Sequence, residues 1–158
     1  MDDLVGPIRG PGVETLTHRL ILPRDANHYG TLFAGVLLSL ALEAAYSTAY
    51  RAAGLSANLV LRRVLDLRCN EPVRVGNVVE IRGCEVFRAL AQVIVALVGT
   101  PLPNGRRFWF DGLMQFVQVD DDGHPVPLAD PPPDSPPALP EPWHELRARA
   151  QRLLAIRN

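Results

Sequence analysis

The longest apolar segment of the chain constrains its fold more than any other feature. Residues 34–53 carry apolar side chains at most positions of a helical pattern, and Gly54 follows as a favourable helix end. A helix of this length spans roughly 30 Å. A narrow polar line with i, i+4 spacing is formed by Ser39, Glu43, Ser47 and Arg51. Because the rest of the surface is apolar, we expect this helix to be covered on most sides.

The segments around this helix read as strands. Val, Ile, Leu and Phe are concentrated in residues 58–70, 77–86, 92–98 and 108–119, and residues 14–22 alternate ahead of the helix. Turn-forming residues separate the four later segments, which therefore read as sequential hairpins. One strand, one long helix and four further strands predict an α+β fold. In the simplest packing, a curved antiparallel sheet of about five to six strands wraps a long central helix.

Composition divides the chain into four parts. Residues 1–13 are rich in Gly and Pro and are expected to be flexible, whereas residues 14–129 carry the strand and helix patterns of one domain. Residues 130–142 form a Pro-rich linker that cannot build a core. Residues 143–158 are predicted to form an amphipathic helix that docks either on this domain or on a neighbour.

Charge and cysteine content narrow the classes of function. Sixteen basic residues, all Arg, balance 17 acidic ones, so nothing indicates a nucleic-acid partner. Cys69 and Cys84 lie on predicted strands and are expected to be buried reduced thiols, unless the strands bring them together as a disulfide. The four His show no metal-ligand spacing, and no metal is expected. The N-terminus lacks a signal-peptide pattern and Glu43 interrupts the apolar segment, so we expect a cytoplasmic protein without a membrane partner.

A short polar turn leads directly into the central helix. It supplies Asp25, Asn27 and His28, after which the small residues Ala34 and Gly35 begin the helix. Backbone N–H groups at a helix start have no partner within the helix and can stabilise a developing negative charge. The sequence therefore predicts a site for a polarised carbonyl group at this point.

Three motifs resemble those of the hot-dog-fold acyl-CoA thioesterases, in the acyl-CoA hydrolase branch. The first has Pro23, Asp25, Asn27, Gly30, Phe33 and Gly35 in the pattern P-x-D-x-N-x-x-G-x-x-F-G-G, with Ala34 at the first of the paired glycines. The second runs from Glu71 to Val79 and is similar to the family's P-V-x-V-G-D-x-V turn. The third runs from Phe116 to Pro127, a closing strand and acidic turn. The resemblance covers roughly residues 15–128.

The resemblance implies a hot-dog fold whose active sites form between two protomers that pair their sheets edge to edge. It also implies an acyl-CoA or acyl-carrier thioester as substrate, with coenzyme A as part of the substrate and no separate cofactor. The amides of Ala34 and Gly35 would bind the oxyanion, and Asn27 would help to activate water. The substrate contacts implied are Asp25, His28, Phe33, Leu42 and Arg88. A homodimer or a higher homo-oligomer is expected.

The chain departs from the family at the position of its usual catalytic Asp, which falls on Leu42. Leucine can neither accept a proton nor attack a thioester. The neighbouring Glu43 lies about 100° further round the helix. It either replaces the missing Asp as a catalytic residue or is a structural Glu bonded to Ser39, Ser47 or an Arg.

The other candidate residues also have a structural alternative. Asn27 can cap its own turn, and Asp25 can fix the same turn by accepting backbone N–H groups. His28 is either a general base or an exposed loop residue, and Arg88 either binds coenzyme A phosphates or lies on a solvated strand face. The function is therefore interpreted as thioester hydrolysis. Binding of an acyl thioester or another apolar ligand without hydrolysis is the alternative, and a dehydratase of the same fold is a third reading.

Overall fold

The computed structural model describes residues 14–54, 56–102 and 107–156. The flexible segment expected at residues 1–13 lies outside these ranges. The elements in chain order are β1 (Glu14–Leu20), α1 (Ala34–Ala53), β2 (Leu59–Cys69), β3 (Val78–Arg88), β4 (Gln92–Pro101), β5 (Phe110–Gln118) and α2 (Trp143–Ala155), with a short 3-10 turn at Pro23–Asp25 between β1 and α1.

The five strands form one antiparallel sheet in the order β1-β3-β4-β5-β2. The first and second strands of the chain are therefore the two edges. Helix α1 packs on one face and contacts all five strands, so the sheet curves around it. The predicted α+β fold, with a long helix against an antiparallel sheet, is confirmed.

The core lies between α1 and the inner face of the sheet. Buried alanines line the helix side, at 41, 44, 45, 49 and 53, and let the sheet approach closely. One close approach is at Gly83 of β3, where an added Cβ would overlap with Oγ1 of Thr48. A side chain at this position would force helix and sheet apart, which explains a glycine in the middle of a strand.

Helix α2 covers the outer face of the sheet. Its residues Trp143, Leu146 and Ala150 are buried against a second apolar cluster that includes Ile94 and Leu113. Arg149 ties the helix to the sheet through its ion pair with Asp111. The amphipathic C-terminal segment thus lies on its own domain in this structure.

The expectation that α1 is covered on most sides is wrong for one stripe of its surface. Leu38, Leu42 and Tyr46, spaced by four residues, are 37–44% exposed within the single chain. Phe33, which precedes the helix, is also exposed. The buried residues of α1 pack against the sheet, and these apolar side chains lie outside that contact.

Smaller corrections concern strand ends and one cysteine. Strand β1 ends at Leu20 rather than at 22, and β4 runs to Pro101 rather than to 98. Cys69 and Cys84 are not joined in a disulfide, and Cys84 is buried as expected, but Cys69 is exposed because it lies at the end of an edge strand. Within the described ranges, neither helix is long and apolar enough to cross a membrane.

Candidate active site at the start of α1

The turn before α1 is organised by Asn27. Its Oδ1 accepts hydrogen bonds from the N–H of Tyr29 at 3.0 Å, the N–H of Thr31 at 3.2 Å and the hydroxyl of Thr31 at 3.2 Å. Gly30 adopts φ +74°, which closes the turn in a conformation that other residues rarely adopt. The Nδ2 donors of Asn27 form no hydrogen bond with another described residue. The side chain therefore holds the turn through its oxygen and leaves its donors for a ligand.

Asp25 fixes the turn against the helix start. Its side chain is buried, Oδ2 accepts the N–H of Leu22 at 2.9 Å, and Oδ1 lies 3.4 Å from the Arg19 guanidinium. Its backbone carbonyl accepts the N–H of Phe33 at 2.8 Å. These contacts give Asp25 a positioning role in the turn, and its predicted contact with substrate stays a prediction.

The first turn of α1 carries donors without an intrahelical partner. Phe33 occupies the N-cap position and provides no side-chain cap. The N–H groups of Ala34 and Gly35 form no backbone hydrogen bond to a described residue, as expected for the first helical positions. The Phe33 ring lies across this turn: a Cβ added at Gly35 would be 2.6 Å from its Cε1. Glycine therefore lets the aromatic ring pack directly over the helix start.

A cavity of about 270 Å³ adjoins this helix start. Asn27, Thr31 and Ala34 line one side of it. The other side is formed by the connection between β2 and β3 and by the start of β5, through Cys69, Asn70, Glu71, Pro72, Val73 and Trp109. The structure thus brings the predicted residues Asn27 and Ala34 together around one cavity.

Backbone hydrogen bonds hold the two sides of this cavity at a fixed separation. The N–H of Leu32 donates to the carbonyl of Val73 at 2.7 Å, and that of Val75 donates to Gly30 at 3.1 Å. The backbone at Glu71 is also anchored, because the N–H of Glu71 donates to the carbonyl of Trp109 at 3.2 Å. The walls are therefore parts of the fold rather than independent loops.

Glu71 is one of the residues that line this cavity. Among the described residues that line it, Glu71 is the acidic one. Its side chain is 45% exposed, and Oε1 lies 3.7 Å from Nη1 of the more exposed Arg107. Sequence reasoning did not single out Glu71. The signal was its place at the start of the second family-like motif, directly before Pro72.

Glu43 lies in a different place. It lines a separate cavity of about 230 Å³ between α1 and β1, together with His18, Arg19 and Ser47. It lies nine positions after Ala34, about 13.5 Å along the helix axis. Ser47 donates to the backbone carbonyl of Glu43 at 2.9 Å rather than to its carboxylate. Within one chain, the structure does not bring the carboxylate of Glu43 and the amide of Asn27 into the same cavity.

Leu42 lines neither of these two cavities. It lies on the exposed apolar stripe of α1 with Leu38 and Tyr46. Its contact with substrate therefore remains a prediction that depends on what covers the stripe.

Arg88 lies at the opposite end of α1. Its Nε donates to Glu85 at 2.7 Å, and both side chains are almost completely buried. Nη2 donates to the carbonyl of Ala52 at 2.7 Å, and Nη1 to that of Asp130 at 3.3 Å. The hydrogen bond with Glu85 raises the pKa of Arg88. The predicted role in binding coenzyme A phosphates is untested, and these contacts already occupy the guanidinium group.

The remaining candidates lie on the surface. His28 is exposed and packs on the ring of Tyr29, with centroids 3.9 Å apart.

Asp120, Asp122 and His124 come close together in an exposed turn. Oδ1 of Asp120 accepts the N–H groups of the other two residues, so the turn explains their proximity without a metal ion.

Comparisons with known proteins agree with this architecture. No family model and no curated protein matches the sequence. Among solved structures, the chain is similar to an apo hexameric acyl-CoA thioesterase, with 25% identity, a TM-score of 0.77 and 94% of each chain covered. It is also similar to an acyl-CoA hydrolase from Staphylococcus aureus in complex with butyryl coenzyme A, coenzyme A and coenzyme A disulfide. There the identity is 19% and the TM-score 0.73, over 91% of this chain and 87% of that one.

A hexameric thioesterase from Yersinia pestis shows the same fold, with 24% identity and a TM-score of 0.64, over 80% of this chain and 100% of that one. The element order, the sheet topology and these likenesses together establish the hot-dog fold. The chain therefore shares its architecture with acyl-CoA thioesterases and hydrolases, at low sequence identity.

Proposed function

We propose that this protein hydrolyses acyl thioesters of coenzyme A or of an acyl carrier, in the cavity at the start of α1. The observation that carries the proposal is that Asn27 and Ala34 line the same cavity. The Nδ2 donors of Asn27 and the first backbone N–H groups of the helix have no hydrogen-bond partner among the described residues. The similar acyl-CoA thioesterase and hydrolase structures support the same chemistry.

In this proposal the thioester carbonyl oxygen accepts hydrogen bonds from the N–H groups of Ala34 and Gly35. Attack by water turns this oxygen into an oxyanion, and donors already aimed at it stabilise the transition state more than the ground state. One such donor is worth about 10²–10³ in rate in well-studied acyl transfer enzymes. Asn27 uses Nδ2 to hold either the water or the carbonyl, because its Oδ1 is committed to the turn.

We further propose that the working form is a homo-oligomer built from a dimer. Besides the exposed stripe of α1, the edge strand β2 carries exposed apolar side chains, at Val60, Leu61 and Val64. An open sheet edge beside an apolar surface favours pairing with a second copy. Two of the similar thioesterases are hexamers, which supports this proposal.

A second candidate function is binding of an acyl thioester without hydrolysis. The specific observation in its favour is the location of Glu43 in another cavity. The motif resemblance, which puts Leu42 at the family's usual catalytic Asp, points the same way. In this reading the chain retains the substrate cavity and lacks the group that activates water.

Release of free thiol from short, aromatic and long acyl-CoAs tests the two functions. Hydrolysis by the wild type that is lost in Asn27→Ala supports the first. Binding without hydrolysis, with activity gained by Leu42→Asp, supports the second. Comparison with Glu43→Gln shows whether the sequence-based choice of catalytic carboxylate is correct. Absence of both binding and hydrolysis for every acyl class would contradict both.

A further inference from the structure

We propose that Glu71 is the general base that activates water for thioester hydrolysis in this chain. The inference rests on the proposed function and names a catalytic residue for it. The motif comparison leaves the chain without a carboxylate at the usual helix position. The fold supplies one from the opposite wall of the same cavity, on the connection between β2 and β3.

The position of Glu71 on the wall of this cavity suits a general base. A general base must lie within hydrogen-bond reach of the water that it deprotonates, near the carbonyl under attack. Within one chain, Glu71 lines the cavity that Asn27 and Ala34 also line, whereas Glu43 lines a separate cavity between α1 and β1. A water held between Asn27 and Glu71 faces a carbonyl that is bound at the helix start.

The backbone of Glu71 is fixed relative to the proposed oxyanion donors. Its own N–H is bonded to Trp109, and two residues later the carbonyl of Val73 accepts the N–H of Leu32. Leu32 stands only two residues before Ala34. One backbone hydrogen bond, between Leu32 and Val73, therefore links the segment of Glu71 to the segment of Ala34. A base and its oxyanion donors require a fixed separation of this kind.

The nearby carboxylates of Asp25 and Asp111 have other partners. Asp25 is buried and bonded to Leu22 and Arg19. Asp111 is bonded to Asn70 and Arg149. Among the described residues, Glu71 has one ion-pair partner, Arg107, at 3.7 Å and largely in solvent. An ion pair of this kind is weak, so the carboxylate remains available to water and substrate.

The step balances as follows. A Glu71 carboxylate oxygen takes a proton from water while the water oxygen bonds to the thioester carbon, and the carbonyl becomes an oxyanion at the N–H groups of Ala34 and Gly35. When the carbonyl re-forms, the C–S bond breaks and the sulfur leaves with the electron pair. The proton on Glu71 passes to this thiolate, which gives a free thiol and a carboxylic acid. One water is consumed and Glu71 is regenerated.

The test compares thiol release by the wild type, Glu71→Gln and Glu71→Ala on the acyl-CoA that the wild type cleaves fastest. We expect kcat to fall at least 100-fold in both variants while KM changes little, because the base acts only in the chemical step. Added formate or azide should restore part of the activity of Glu71→Ala, since a small anion can enter the vacated position. Asp121→Asn, an exposed carboxylate on a remote turn, is the matched control and should behave as the wild type.

Two further variants separate this role from its rivals. Arg107→Gln removes the partner of Glu71 without removing the base, and should reduce kcat far less than Glu71→Gln. Glu43→Gln should retain more activity than Glu71→Gln. If Glu71→Gln hydrolyses as fast as the wild type, or if Glu43→Gln alone abolishes kcat, Glu71 is not the base although the protein is a hydrolase. If the wild type releases no thiol from any acyl-CoA, the proposed function fails and the role of Glu71 fails with it.

Discussion

The two ends of α1 differ in how their backbone groups are satisfied. We refer to the C-terminal end, beside Arg88, as the closed end and to the N-terminal end, beside the cavity, as the open end. At its C-terminal end, the free carbonyl of Ala52 is satisfied by Arg88, whose charge is balanced by the buried Glu85. At its N-terminal end, the N–H groups of Ala34 and Gly35 have no backbone partner among the described residues, and Ala34 lines a cavity of about 270 Å³. Both ends of a helix carry backbone groups without an intrahelical partner, and each end of α1 has a glutamate in its surroundings, Glu85 at one and Glu71 at the other.

The difference between these ends is burial. Glu85 is fully buried with a bidentate partner, so it stabilises the fold and cannot reach a ligand. Glu71 is 45% exposed and weakly paired, so it adds little stability and remains accessible. A charged residue near a helix end is thus structural or functional according to whether the fold has already supplied its partner.

The largest expected effect of a single substitution on stability is at the closed end. Arg88→Met leaves the carboxylate of Glu85 buried without a partner, which should lower the free energy of unfolding by about 3–5 kcal/mol. Chemical denaturation followed by circular dichroism measures this change. The double variant Glu85→Gln, Arg88→Met should recover much of the loss. A rise in KM for acyl-CoA with unchanged stability would instead support the coenzyme A role predicted for Arg88.

At the open end, substitution should change rate rather than stability. Asn27→Asp keeps the oxygen that organises the turn and removes the Nδ2 donors. Hydrolysis should fall about 10²-fold, equivalent to about 2.7 kcal/mol of transition-state stabilisation. Thermal unfolding should stay close to that of the wild type. A large drop in stability with an unaltered kcat would show that Asn27 serves the turn alone.

The exposed stripe beside the open end should respond through assembly. Leu38→Glu places a charge in the proposed contact between copies and should weaken self-association at least tenfold, by about 1.4 kcal/mol. Sedimentation velocity over a concentration series measures this. Leu90→Glu, at an exposed leucine in the turn between β3 and β4, is the matched control. A wild type that sediments as a monomer at all concentrations would contradict the proposed oligomer.

The smallest expected effect is at Gly35. An added Cβ meets only the exposed ring of Phe33, which can rotate away, and Ala favours a helix over Gly. The stability of Gly35→Ala should therefore change by less than about 1 kcal/mol. The same substitution at Gly83 meets the buried Thr48 and should cost about 1–3 kcal/mol. Equal losses at the two positions would mean that the helix start is as tightly packed as the core.

Much of this fold follows from the sequence because its signals are local. The apolar periodicity that ends at Gly54 predicts α1 with the bounds observed, Ala34–Ala53. The turn-forming residues predict the ends of the strands to within a few residues. The turn before α1 was also predictable as a place where polar side chains and free N–H groups meet, since short-range capping and helix geometry determine it.

The missed features depend on contacts between distant segments. The cavity that contains Glu71 exists because Leu32 bonds to Val73, and no periodic pattern records that contact. Similarly, Glu85 and Arg88 would point to opposite faces of a regular strand. A shift in strand register between Glu85 and Phe87 brings the two charges to the same side. Sequence spacing therefore could not distinguish a buried ion pair from a solvated arginine.

The most direct test of the site is a crystal structure with an acyl-CoA analogue in which a methylene group replaces the thioester sulfur, so that cleavage is blocked. We expect the analogue's carbonyl oxygen about 3 Å from the backbone nitrogen of Ala34 or Gly35, with the carboxylate of Glu71 facing the carbonyl carbon across a water. An analogue whose carbonyl lies instead in the cavity beside Glu43, or anywhere beyond hydrogen-bond reach of these amides, would contradict the assignment of the active site to the start of α1.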